Sequence, residues 1–248
     1  MVISRAIPIN KHRLTELSKV LQQAIAMKTN GVSGPLGRRV LVPSAPYDIT
    51  TVDGREATIQ IRLMSIPTSS PYYVVSGGVG KGGSGATFIV ININGTLDAE
   101  NLYKSASSKD LTIANQIFKV LIHEMTHAAD IFTKGIGESL TEEEAQNNPR
   151  AYYNHPTEVR AYLQEILEEL NLGNYPKFVK LFKGRGRGLE VLLKQSKTWL
   201  EMEPYLTESN KRLIIKAVAQ QIDQLESEHT KNATIISGVV SRYLGGDQ

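Results

Sequence analysis

Cysteine is absent from this chain of 248 residues. No disulfide can form and a zinc–thiolate centre is excluded, so any transition metal must be held by His, Asp or Glu. Long hydrophobic runs are missing as well. No stretch of about 18 apolar residues occurs, which argues against a membrane-spanning helix. Met1 to Arg13 lacks the apolar centre of a secretory signal. A cytoplasmic protein is the default expectation; non-classical export or incorporation in a virion would leave no such mark. Aromatic residues are scarce at 6%, while apolar residues reach 41% and charged residues 21%, an ordinary composition for a soluble globular protein. Neither charge dominates. Lys and Arg number 28 against 25 Asp and Glu, a net +3, too mild to imply nucleic acid or a membrane as partner.

What is present suggests strands early and helices late. Leu14, Leu17, Leu21, Ala24 and Ile25 recur at helical spacing up to Asn30-Gly31. The Pro- and Gly-rich stretch Gly31 to Asp48 reads as an irregular connector. In Ala57 to Ile66, apolar Ile59, Ile61 and Leu63 alternate with Gln60 and Arg62, the pattern of a half-buried strand. Pro71–Ser76 and Ala86–Asn94 read as two more strands around a Gly-rich turn. Helices are expected over about 108–134, 156–171, 176–183, 187–202 and 208–243. The expected class is α+β, a small and mostly antiparallel sheet followed by helices. Residues 1–171 are expected to form one domain and 172–248 a helical C-terminal subdomain, which could pack with the first as one body.

Within the expected helix 108–134, residues 123 to 127 read His-Glu-Met-Thr-His. Histidines four apart lie one turn apart on one helix face. Both imidazoles can reach one Zn²⁺, and the glutamate between them can take a proton from a water that the ion activates. Chance yields such a string in roughly one chain in a hundred of this composition, so its surroundings have to decide. At about 100° per residue, Ile113, Ile117, Val120, Leu121 and their apolar neighbours fill an arc of roughly 200°. Thr112, Asn115, Lys119, Thr126 and Thr133 face the other way. His123, His127 and Asp130 fall on the boundary, where a cleft wall belongs. Glu124 lies inside the apolar arc, and a carboxylate buried there costs several kcal/mol unless a cation or bound water compensates.

A catalytic zinc takes three protein ligands and leaves a fourth position open. The metzincin continuation requires Gly at position 130 and His at 133; this chain has Asp130 and Thr133. Three candidates remain: Asp130, His155 and Glu158. Asp130 suits a hydrogen bond to a ligand imidazole better than direct ligation. His155 is most simply a helix cap or a surface residue. Glu158 projects from the start of a helix that Asn154 or His155 caps and Pro156 opens; it belongs to a stripe with Tyr162, Glu165 and Glu169, for which a solvated face is the alternative reading.

The pair of segments, His123-Glu124-Met125-Thr126-His127 with Asp130 and the later Glu158 with Ala161, resembles the gluzincin metallopeptidases, most of all the catalytic domain of anthrax lethal factor and its relatives. The resemblance covers roughly 117–132 and 150–166. It implies a zincin-like fold, zinc as cofactor held by His123, His127 and Glu158, and Glu124 as general base. A tyrosine shortly before the third ligand would stabilise the oxyanion, and both Tyr152 and Tyr153 stand in that neighbourhood. It further implies a protein or peptide substrate, bound along an edge strand for which Ala86–Asn94 is the candidate. The alternative expectation is a catalytically idle zincin-fold component of a larger assembly, such as a phage particle or toxin.

Two other segments invite a different reading. Gly80-Lys81-Gly82-Gly83-Ser84-Gly85-Ala86-Thr87 resembles a phosphate-binding loop, but Ala86 stands in place of the phosphate-binding lysine and the segment leads into a strand rather than a helix N-terminus. A flexible hairpin is expected there. Lys183 to Gly188 is a short basic turn, far below a nucleic-acid footprint.

Overall fold

A computed structural model of the chain describes residues 10–50, 56–67, 74–81, 87–94, 98–109, 112–134, 147–170, 187–224 and 227. The protein is α+β, with a mixed four-stranded sheet and several helices. It divides into two compact units, Met1–Ser139 and Leu140–Gln248.

The first unit opens with α1 (Lys11–Thr29). Asn10 caps it, its side chain accepting from the Arg13 N–H at 3.0 Å, and the chain leaves it through Gly31 at φ +72°, a conformation that glycine adopts without strain. Leu14, Leu21 and Ile25 are the buried stripe of this helix. Four strands follow: β1 (Arg39–Thr50), β2 (Glu56–Ile66), β3 (Val74–Lys81) and β4 (Thr87–Asn94), in the order β1-β2-β4-β3. β2 and β4 run parallel, and the two outer pairings are antiparallel. Ile59, Ile61 and Leu63 of β2 and Ile89, Ile91 and Ile93 of β4 enter one buried core with α1 and the later helices. The alternation in the sequence of these strands is thus the alternation of a sheet with one face in that core.

Three expectations are corrected here. Residues 39–50 are a strand rather than an irregular connector. Pro43 and Pro46 lie in it because β1 is an outer strand, where a missing N–H breaks no second ladder. The pairing is irregular at Val40, Val42 and Ala45. Second, β4 is interior, between β2 and β3, so Ala86–Asn94 cannot offer a free edge; the free edges among the described strands are β1 and β3. Third, β3 runs through Gly77, Gly78 and Gly80 to Lys81, farther than the expected Pro71–Ser76, of which 71–73 lie outside the described residues. The antiparallel pairing of β3 with β4, Lys81 opposite Thr87, agrees with the expected hairpin; residues 82–86 lie outside the described residues.

Two helices complete the described part of this unit, α2 (Ala99–Ser107) and α3 (Thr112–Lys134). The sequence reading had a single helix from 108, whereas the chain forms a separate short helix capped by Asp98 first. Buried Gln22 fixes where α3 begins. Its amide donates to the carbonyls of Ala106 at 3.1 Å and Ser108 at 3.3 Å, and its Oε1 accepts from the Ala114 N–H at 2.7 Å. Gln22→Ala strands these backbone groups, and urea denaturation is expected to register a loss of about 1–3 kcal/mol. An unchanged midpoint would show that the amide does not hold the helices in place.

The second unit has its own core. It contains α4 (Pro149–Tyr153), α5 (Pro156–Glu169), α6 (Arg187–Leu193), α7 (Lys197–Met202), a 3₁₀ turn (Glu203–Tyr205) and α8 (208–224). Val159, Leu163, Ile166, Leu193, Trp199, Met202 and Ile214 pack together. The helix expected over 187–202 is broken at 194–196, because Ser196 caps α7 by accepting from the Trp199 N–H at 3.0 Å. The carboxylate of Glu169 then accepts from Ser196 Oγ at 2.6 Å and from the Thr198 N–H at 3.0 Å, an anion on a helix start. The helix expected over 176–183, the basic turn at 183–186 and the end of the helix expected over 208–243 lie outside the described residues.

Candidate metal centre

The face of α3 that the sequence marks as apolar is buried. Ile113, Ile117 and Leu121 are fully enclosed, whereas Thr112 and Asn115 are exposed. α3 packs against α1 and against β3 and β4. His123, Glu124 and His127 are each only 7% exposed. Three polar side chains are thus buried within five residues of a helix whose neighbours are Ile, Leu, Met and Ala, and burial of this kind requires partners. Asp130, one turn beyond His127, is half-buried.

The two imidazoles turn their Nε2 atoms toward each other at 3.0 Å, with ring centroids 4.8 Å apart and planes at 68°. Two ring nitrogens approach so closely only if one donates a proton to the other or if both lone pairs meet a cation. Zinc lies about 2.0–2.1 Å from imidazole nitrogen. Two tetrahedral nitrogen ligands are then roughly 3.3 Å apart, close to the spacing found. The donor set fits zinc.

Glu124 lies against the sheet. An ideal Cβ built on Gly77 of β3 would stand 2.8 Å from Glu124 Cγ and 3.0 Å from its Oε1, so the Glu124 side chain lies close against β3, an edge strand among the described strands.

In the second unit, the chain turns at Asn154-His155 and starts α5 with Pro156 at its first position. Asn154 fastens the turn. Its side-chain N–H groups donate to the carbonyls of Arg150 at 2.7 Å and Tyr205 at 2.8 Å; its Oδ1 accepts from the Thr207 N–H at 2.8 Å and from Asn210 Nδ2 at 2.9 Å. His155 occupies the cap position of α5 without a side-chain capping bond, and its Nδ1 is 2.6 Å from Thr157 Oγ1. Glu158 follows in the first turn, 1% exposed. Glu158 and Glu165 of the stripe are buried rather than solvated. Glu165 is 7% exposed and accepts from Thr198 Oγ1 at 3.2 Å.

Tyr152 and Tyr153 are half-buried at the end of α4. The hydroxyl of Tyr162 donates to that of Tyr152 at 3.2 Å, and the Tyr153 ring stacks on Tyr205 at 5.4 Å between centroids, 17° from parallel. Burial raises the pKa of Tyr162 strongly and that of Tyr153 less so, with Glu201 and Tyr205 adding to the latter. Both phenols therefore keep their protons at neutral pH, and each can donate a hydrogen bond.

His123, His127 and Glu158 each offer one ligand atom, and these atoms all lie within 4.8 Å of one another. Among the described residues this is the one His, Asp and Glu group of that kind; neither His155 nor Asp130 belongs to it. Sequence reasoning overlooked Gly77 and took Asn154 only as a candidate helix cap. Glycines inside a strand could have drawn attention to Gly77, since such residues often mark a close approach. No family model, curated protein or solved structure matches the chain.

Proposed function

We propose that this protein is a zinc-dependent endopeptidase of the gluzincin type on a zincin-like fold. His123, His127 and Glu158 are its metal ligands and Glu124 is its general base. The observation that carries this reading is the gathering of two imidazole nitrogens and a carboxylate oxygen, all buried, around a spacing that suits one divalent ion. Zinc bound there would polarise a peptide carbonyl and lower the pKa of a water from 15.7 toward about 7. Glu124, enclosed on α3, takes the proton of the attacking water on its carboxylate and passes it to the departing amine. A phenol from Tyr152 or Tyr153 donates to the developing oxyanion. Asp130 orients a ligand imidazole from one turn away.

A peptide is the substrate class because the strand that touches Glu124, β3, has no partner on its outer side among the described residues. Its main-chain groups there can pair with an extended chain, a way of binding peptides that needs few side chains. The experiment is metal analysis combined with cleavage of a denatured protein such as casein. Purified chain is expected to carry about one zinc, as a site with three protein ligands requires, and to cleave casein until a chelator is added. Zinc bound without any cleavage would contradict the peptidase and leave an idle metal-binding module. No zinc at all would contradict both.

A further inference from the structure

β3 is unusual among the four strands in carrying glycine at three of its eight positions, Gly77, Gly78 and Gly80, although glycine weakens a strand interior. None of the three has a backbone that demands glycine, because positive φ occurs elsewhere, at Gly31, Gly34 and Gly37. Space is the remaining reason, and it differs sharply among them. A Cβ on Gly78 would meet nothing within 4 Å, and one on Gly80 would touch the Phe88 ring at 3.2 Å. A Cβ on Gly77 would stand 2.5 Å from Val120 Cγ1, 2.8 Å from Glu124 Cγ and 3.0 Å from Glu124 Oε1. Those distances are inside van der Waals contact, so something has to yield.

Val120 and Glu124 are one turn apart on α3, and β-branched Val120 has little rotamer freedom in a helix. Glu124 has three side-chain torsions and is the group that can move. We propose that Gly77 is a positioning residue for Glu124: the side chain missing from the free-edge strand is what allows the carboxylate to stand where it takes the proton. This inference rests on the proposed function for its catalytic part, while the contact itself does not. Displacement of a reacting group by about 1 Å costs on the order of a hundredfold in rate. Val120 and Glu124, not the ligand residues, supply the three nearest atoms, so zinc should stay.

The test compares Gly77→Ala with wild type in zinc content, kcat and KM on a peptide, and unfolding midpoint. The expected result is about one zinc per chain, kcat down roughly a hundredfold and KM little changed. A purely structural glycine would lower the midpoint and leave kcat per zinc-loaded chain intact, which would overturn the proposal. A second measurement needs no zinc and no turnover. In an unfolding cycle, Glu124→Ala removes the Cγ and Oε1 that the new methyl meets, so the midpoint lost in Gly77→Ala should be recovered in part in the double variant. Strict additivity of the two substitutions would overturn the contact. Gly78→Ala serves as the stability control, with no fall in midpoint expected. Absence of zinc from wild type would remove the peptidase reading alone, since the cycle still decides the contact.

Discussion

Glu124→Gln is expected to retain zinc and to lose at least about a hundredfold in kcat, the lower end of what a positioned general acid–base contributes. The reason lies in where the carboxylate sits. Only 7% exposed, it stands beside His123 on α3 and close against Gly77 of β3, next to the proposed metal ligands. Glutamine keeps the shape and the contact with β3 but cannot accept and return a proton. Turnover of a quenched peptide should collapse while KM and metal content hold steady. Full activity in this variant would remove Glu124 from the chemistry.

Replacing Glu158 should act on the metal instead. Glu158→Ala is expected to weaken zinc binding, measured by competition with a chromophoric chelator, by more than the 10–100-fold typical of a lost outer partner. Glu158→Gln guards against a trivial cause. It fills the same buried volume in the first turn of α5, so a folded Gln variant that has lost its zinc locates the defect in ligation. Asp130→Ala should fall within the 10–100-fold range. His155→Ala should leave affinity as it was, because its ring nitrogen faces Thr157 Oγ1. Unchanged affinity in both Glu158 variants would mean that another donor completes the set.

Much of the site was legible because helical geometry is local. The spacing of His123 and His127 puts the two rings one turn apart, and the apolar arc of α3 correctly announced that Glu124 is buried. α1, β2 and β4 showed through for the same reason, since the period of their apolar residues is the signature of one packed face. Other features depend on contacts that no window of sequence contains. Strand order is one. β4 directly precedes the helices, yet β3 takes the outer position and leaves β4 inside the sheet. β1 was hidden by Pro43 and Pro46, residues that end most strands and are tolerated here only because β1 lies at the margin. The break at 194–196 depends on Ser196 and on Glu169, far back in the chain. Gly77 gained meaning only from what stands opposite it.

The central claim is one divalent ion held by two imidazoles and a carboxylate. Zinc K-edge X-ray absorption on the zinc-loaded chain tests it most directly. The account predicts a four-coordinate shell of nitrogen and oxygen at about 2.0–2.1 Å, with the outer-shell scattering of two imidazoles, and the loss of one imidazole in His123→Ala. Failure to load zinc, or a shell of oxygens without imidazole, would contradict it.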